Sequence, residues 1–254
     1  MKRLMLLLAF LISVGTSAFG QLVKEVTLSS ETNLAAALGE DAATVTTLKI
    51  SGLLTEEDFA TMKNDIPMLQ VLDMSGVTAL PRQTEMTTGT GTVYSCIPQD
   101  ALKDKRTLQR VVFPACLEMI KSSAFQGCSN LLEIIFPESS QLMQINRLAF
   151  YECSSLQVLD LPRCLSLSVI ETNAFYSCNN LKRVNLSGCT NLKCIGFAAF
   201  NACSSLQTLD LSNCSLLSVI GSAAFAFCSE LNTVRIESCI ALQSIEEHAF
   251  LGLQ

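Results

Sequence analysis

Tryptophan is absent from this chain, tyrosine occurs three times, and histidine occurs once, at His248. A single imidazole in 254 residues leaves a Ser–His or Cys–His nucleophile, or a His-rich zinc site, almost nothing to draw on. None of the twelve cysteines forms a C-x-x-C pair, which removes the common zinc and thioredoxin-like patterns. No glycine-rich phosphate loop is present. Charge is sparse and acidic: 17 Lys and Arg against 23 Asp and Glu, a net of −6. No basic stripe runs along the chain to track a phosphate backbone, so nucleic acid is not expected as a partner. These absences together predict no enzyme, no cofactor and no metal.

What is present is repetition. Ala-Phe ends at Phe125, Phe150, Phe175, Phe200, Phe225 and Phe250, a spacing of 25 residues each time. Between these marks recurs one template, L-x-x-L-x-L-x-x-C-x-x-L-x-x-I-x-x-x-A-F-x-x-C. Leu206, Leu209, Leu211, Cys214, Leu217, Ile220, Ala224, Phe225 and Cys228 spell one copy. Self-similarity at this period means a solenoid, in which each repeat buries its apolar edge against its neighbours. The alternating end of L-x-x-L-x-L has the pattern of a half-buried strand. Eight such strands at ~4.8 Å per rung make a parallel sheet ~35–40 Å long. Leu167, Ile170, Ala174, Phe175 and their equivalents fill the other wall, expected as short helical or irregular turns.

The flanking segments read differently. Lys2 and Arg3, an apolar run from Leu4 to Val14, and Ala18 and Gly20 ahead of Gln21 have the form of a secretory signal peptide over residues 1–20. The run is too short for a membrane span. Residues 21–68 form an expected small α+β N-terminal cap. Val26 and Leu28 lie in a strand, Thr32 or Asn33 caps a helix stopped at Gly39, Val45 to Ile50 form a strand turned by Gly52, and a helix around Phe59 precedes Pro67. Residues 69–254 form the array, opening with Leu69, Leu72 and Met74. It carries a loop insertion at 77–96 and regular repeats from about 101. At Ala249-Phe250 a new turn starts and the chain stops four residues later, so a C-terminal truncation is expected; the alternative is an open end that self-associates.

The phrase I-x-x-x-A-F-x-x-C-x-x-L, seen at Ile120, Ala124, Phe125, Cys128 and Leu131, resembles the BspA-like leucine-rich repeat over about residues 97–250. That resemblance implies a leucine-rich-repeat solenoid. It also implies an exported protein, extracellular or at the cell surface (with a periplasmic site as the variant), non-enzymatic and used in adhesion. The partner implied is a protein, or a glycan, on a host or neighbouring cell. The alternative is a structural spacer or self-assembling surface module, or the repeat part of a larger surface protein.

Two slots hold most of the cysteines: Cys128, Cys153, Cys178, Cys203 and Cys228 in one, Cys116, Cys164, Cys189, Cys214 and Cys239 in the other. Side chains in one slot point the same way, which is poor disulfide geometry. Buried structural thiols are therefore favoured over bridges or metal, with Ser139 taking the second slot in the copy that lacks Cys. Function is left to the letters that vary. If the template leucines point inward, the candidate partner-binding face comprises Arg110, Val112, Glu133, Ile135, Val158, Asp160, Arg183, Asn185, Asp210 and Arg235. Val112, Ile135 and Val158 with Pro114, Pro137 and Pro162 would form an apolar patch with a charged rim, an interface signature. Equally, the insertion at 77–96 would fold over that patch and cover it.

Overall fold

The computed structural model describes residues 22–85, 92–161 and 164–253; the expected signal peptide at 1–20, the insertion tip at 86–91 and Pro162 lie outside them. The chain opens with β1 (Leu22–Leu28), α1 (Leu34–Leu38), β2 (Val45–Leu53), α2 (Glu56–Asn64), β3 (Val71–Ala79), β4 (Arg82–Glu85) and β5 (Thr92–Ile97). Thereafter each rung contributes a three-residue strand and a two-residue strand. These are β6 (Arg110–Val112) and β7 (Met119–Ile120), β8 (Glu133–Ile135) and β9 (Gln144–Ile145), and β10 (Val158–Asp160) and β11 (Val169–Ile170). Next come β12 (Arg183–Asn185) and β13 (Cys194–Ile195), β14 (Thr208–Asp210) and β15 (Val219–Ile220), and β16 (Thr233–Arg235) and β17 (Ser244–Ile245).

The expected solenoid is there. Its strand face is parallel throughout, in two segments ordered β1-β2-β3-β6-β8 and β10-β12-β14-β16. The face thus begins two strands before the Leu69–Met74 phrase. It has nine strands among the described residues rather than the eight expected. The other wall adds something the template did not announce: a second ladder, β17-β15-β13-β11-β9-β7-β5, formed by the two residues that end at each template Ile. Equal repeat length puts identical positions in register from Val169–Ile170 to Ser244–Ile245, so a two-residue strand suffices when every rung repeats it.

Between the ladders the core is a column of rings. Phe125, Phe150, Phe175, Phe200, Phe225 and Phe250 stack with centroids 5.0–5.4 Å apart, close to the rung spacing that imposes it. Leu102 takes the ring's place in the short first copy, and Phe113 packs edge-on against Phe125 at 5.7 Å. Each Ala-Phe turn bends through two left-handed residues. One series is Ser123, Leu148, Asn173, Ala198, Ala223 and His248, with φ between 50° and 60°. The other includes Gly127, Glu152, Ser177, Ala202, Phe227 and Gly252.

The N-terminal elements form as the local signals suggest. Asn33 accepts a hydrogen bond from the Ala36 N–H and caps α1, and Gly39 closes it at φ 52°. Thr55 and Asp58 make a reciprocal capping box on α2, and the second Asp58 oxygen accepts from the Leu34 N–H at 2.7 Å, tying the two helices together. Gly52 does not turn the chain. It sits inside β2 at φ 86°, opposite Leu28, where an added Cβ would lie 2.1 Å from the Leu28 carbonyl oxygen.

Candidate strand-face site

Strand geometry decides what the face presents. The middle residue of each three-residue strand from β6 to β14 points inward and is buried (Val111, Ile134, Leu159, Val184 and Leu209), whereas Val234 in β16 is 41% exposed. The residues on either side point out and stack into two columns, one running Val71, Arg110, Glu133 and the other Asp73, Val112, Ile135. Beyond the break between β8 and β10 the first column continues as Val158, Arg183, Thr208, Thr233 and the second as Asp160, Asn185, Asp210, Arg235.

Every one of the ten candidate residues lies on this face, and register sorts them. Val112 and Ile135 are direct neighbours and half-buried. Val158, 38% exposed, sits in the other column beside Arg183. Pro114 is buried and Pro137 half-buried. The expected single patch therefore reduces to a Val112–Ile135 pair. The reason is simple: the apolar letter moves from the third strand position to the first in that copy, and strand positions two apart belong to different columns.

The charged candidates spend themselves on one another. Arg110 Nε lies 2.9 Å from Glu133 Oε2, Arg183 Nη2 3.2 Å from Asp160 Oδ2, and Arg235 Nη1 3.4 Å from Asp210 Oδ2. Asn185 Nδ2 donates to Asp160 Oδ1 at 2.6 Å, and the Ser187 hydroxyl and N–H donate back to Asn185 Oδ1. Burial alone would raise the Asp210 carboxyl, but the Ser212 hydroxyl and N–H, together with Arg235, hold it below the usual range. Such exposed pairs contribute little stability, typically ~0–1 kcal/mol each. Their effect is to fix a charge pattern along the face.

The described part of the insertion does not cover this face. β4 and β5 form an antiparallel hairpin whose second strand joins the opposite ladder through β7. The face also extends further toward the N-terminus than the template suggested. Glu25, Lys49 and Asp73 continue the Val112–Ile135 column across β1, β2 and β3. A depression of about 250 Å³ opens there, lined by Glu25, Thr27, Lys49, Ser51, Asp73 and Gly76 among others. Lys49 Nζ lies 2.7 Å from Glu25 Oε1. Nothing in the 25-residue template marks this region, because it precedes the first full copy; the alternation in Val45–Ile50 was the available signal.

The cysteines make two ladders of donors. Thiols of Cys128, Cys153, Cys178, Cys203 and Cys228 donate to the carbonyls of Leu102, Phe125, Phe150, Phe175 and Phe200 one rung back, at 3.1–3.3 Å. Cys189, Cys214 and Cys239 do the same to Leu161, Leu186 and Leu211. In the copy without Cys the buried residue is Ser140; Ser139 is exposed, because the turn there is shifted by one residue and the Ser140 N–H takes the i−3 bond to Pro137. Burial pushes the Cys128 thiol up to about 12 and Cys153 well above its ordinary value. These sulfurs stay protonated and unreactive at neutral pH. His248 is exposed at the left-handed position of the last turn. Among the described residues no group of three or more His, Cys, Asp or Glu side chains is placed to hold a metal ion, and no helix is long and apolar enough to cross a membrane.

Comparison with known proteins agrees with this architecture. The family model for the BspA type leucine rich repeat region matches residues 95–212 and 166–254 with six copies. A leucine-rich repeat protein from T. pallidum is similar in structure, with 27% identity over 68% of this chain and 77% of its own, at a TM-score of 0.52. The pneumococcal vaccine antigen PcpA matches with 26% identity over 53% of this chain and 40% of its own, TM-score 0.36. A leucine-rich repeat protein from Bacteroides ovatus matches with 19% identity over 90% and 58%, TM-score 0.36. No curated protein sequence matches.

Proposed function

Since the chain belongs to the BspA-type leucine-rich repeat family, a family of protein-interaction modules, we propose that it binds a protein partner through its strand face, without chemistry of its own. The proposal includes export by a leader at 1–20, a lead-in over 21–68, an array over 69–254, and display outside the cell for adhesion. The observation that carries it is the apolar Val112–Ile135 pair, set in a face that no described element covers and rimmed by Arg110, Glu133, Asp160 and Arg183. An apolar centre with a polar rim is the anatomy of a protein contact. A scaffold whose side chains are held by ladders on both walls loses little entropy on binding.

The test is selection of binders from a random displayed peptide library on the purified chain, followed by affinity measurement on Val112→Ser/Ile135→Ser and Arg110→Ala variants. Far-UV circular dichroism and melting confirm that the variants fold. Binding is expected to fall at least about tenfold with the paired serine change, equivalent to ~1.4 kcal/mol. Undiminished binding in both variants would remove the strand face from consideration.

A further inference from the structure

Resting on that reading of the face, we propose that the depression between Glu25, Lys49 and Asp73 is a socket for a basic side chain of the protein partner. Two independent features meet there. The first is charge. In the two outward columns each other carboxylate has its cation: Glu25 has Lys49, Glu133 has Arg110, Asp160 has Arg183 and Asp210 has Arg235. Asp73 is the exception. Its Oδ1 accepts the Ser75 N–H at 2.9 Å, while the neighbouring Lys49 ammonium sits against Glu25 and feels Asp73 only at longer range, outside ion-pair distance. Two carboxylates against one ammonium leave the socket with one negative charge in excess.

The second feature is shape. A depression of about 250 Å³ opens beside Asp73. Gly76 lines it where β3 runs close against β2, and an added Cβ there would lie 2.9 Å from the Ser51 Cβ. Thr27 and Ser51 hydroxyls, 2.8 Å apart, line one side with further acceptors for an ammonium or guanidinium. An ordinary cation–carboxylate pair in this setting is charge-assisted and directional.

The column then fixes what accompanies the basic residue. Asp73, Val112 and Ile135 occupy successive rungs. At ~4.8 Å per rung Ile135 stands ~10 Å from Asp73, the span of about three residues of extended chain. A segment lying along the stack with its Lys or Arg in the socket places an apolar side chain two or three positions away on Val112 and Ile135.

The same displayed library decides the matter, with Asp73→Asn as the probing variant. Asparagine keeps the acceptor for Ser75 and removes the charge. The expected binders share a Lys or Arg with an apolar residue two or three positions away. They weaken about tenfold on Asp73→Asn and weaken with added salt. Binders that depend on Val112 and Ile135 but carry no basic residue, or ignore Asp73→Asn, overturn the socket and leave the face reading standing. Binders indifferent to both sets of changes overturn both. A library that yields none, against a glycan array that yields ligands, assigns the face to saccharides and rejects the socket.

Discussion

Lys105 Nζ lies 2.6 Å from the Ile66 carbonyl oxygen and 3.1 Å from that of Lys63, at the C-terminal end of α2. In template terms Lys105 occupies the slot that Cys128, Cys153 and Cys178 fill in later rungs, three residues after the ring position. There a thiol reaches the carbonyl one rung back. Here the preceding rung is a helix end, farther away and offering several unsatisfied carbonyls, and a longer cationic side chain spans the gap. Lys63 returns the contact by donating to the Asp100 carbonyl at 2.9 Å. This clasp joins the lead-in segment to the array.

Replacing Lys105 with Met is expected to cost about 1–3 kcal/mol, because it removes the charged donor from the Lys63 carbonyl and leaves the Ile66 carbonyl with only the Leu69 N–H. Urea unfolding followed by circular dichroism measures it. Lys103→Ala, which breaks an exposed 3.9 Å contact with Asp100, serves as the control and should change stability by less than about 0.5 kcal/mol. Equal effects would show that the clasp contributes nothing specific.

Alkaline pH should unfold the array through its thiols. Burial raises the folded values of Cys128 and Cys214 to about 12, against 9.0 for a free thiol. Below pH 9 both states hold the proton and stability is full. Between 9 and about 12 the unfolded chain releases protons that the folded one keeps, so stability falls as pH rises. The limiting slope is ~1.4 kcal/mol per pH unit for each such thiol. Urea midpoints measured across that range should drop steeply, and a Cys128→Ala/Cys214→Ala chain should drop less steeply. An unchanged slope would mean the sulfurs ionise freely in the fold.

Phe200 has ring neighbours on both sides, at 5.0 and 5.2 Å, and is fully buried. Phe200→Ala should cost about 3–5 kcal/mol. Phe200→Asp should unfold the middle rungs, since a lone carboxylate there has no partner. Because each rung touches only its neighbours, hydrogen exchange should lose protection around β12 to β15 while β1 to β3 keep theirs. Uniform loss along the chain would refute that local picture.

Backbone conformation supplies a pair of opposite effects. Gly52→Ala meets the Leu28 carbonyl oxygen and a left-handed φ, and should destabilise by more than about 1 kcal/mol. Exposed Glu152, at φ 57° in the position Gly127 and Gly252 hold, should gain about 0.5–1 kcal/mol on change to Gly. Thermal melting of the two variants reads both signs directly.

How far could the residues alone go? The 25-residue period determined the solenoid, its parallel register, the ring column and the buried thiols, because identical repeats can only stack identically and each stacked position inherits its neighbour's surroundings. Asn33 and Gly39 placed α1, and helical spacing around Phe59 placed α2; the Thr55–Asp58 box that caps α2 came from the structure. What stacking three-dimensionally decided was which varying letters meet. Val158 left the Val112–Ile135 pair because a two-residue shift along a strand changes column. Ser140 replaced Ser139 because the turn moved by one residue. The I-x-x-x-A-F stretch became a second ladder because ladder bonds form between rungs, and no single copy contains both partners. The proposed binding face follows the same logic. Its members lie about 25 residues apart, and whether a given acid finds an arginine depends on the next rung, as Asp160 does in Arg183 and Asp73 does not.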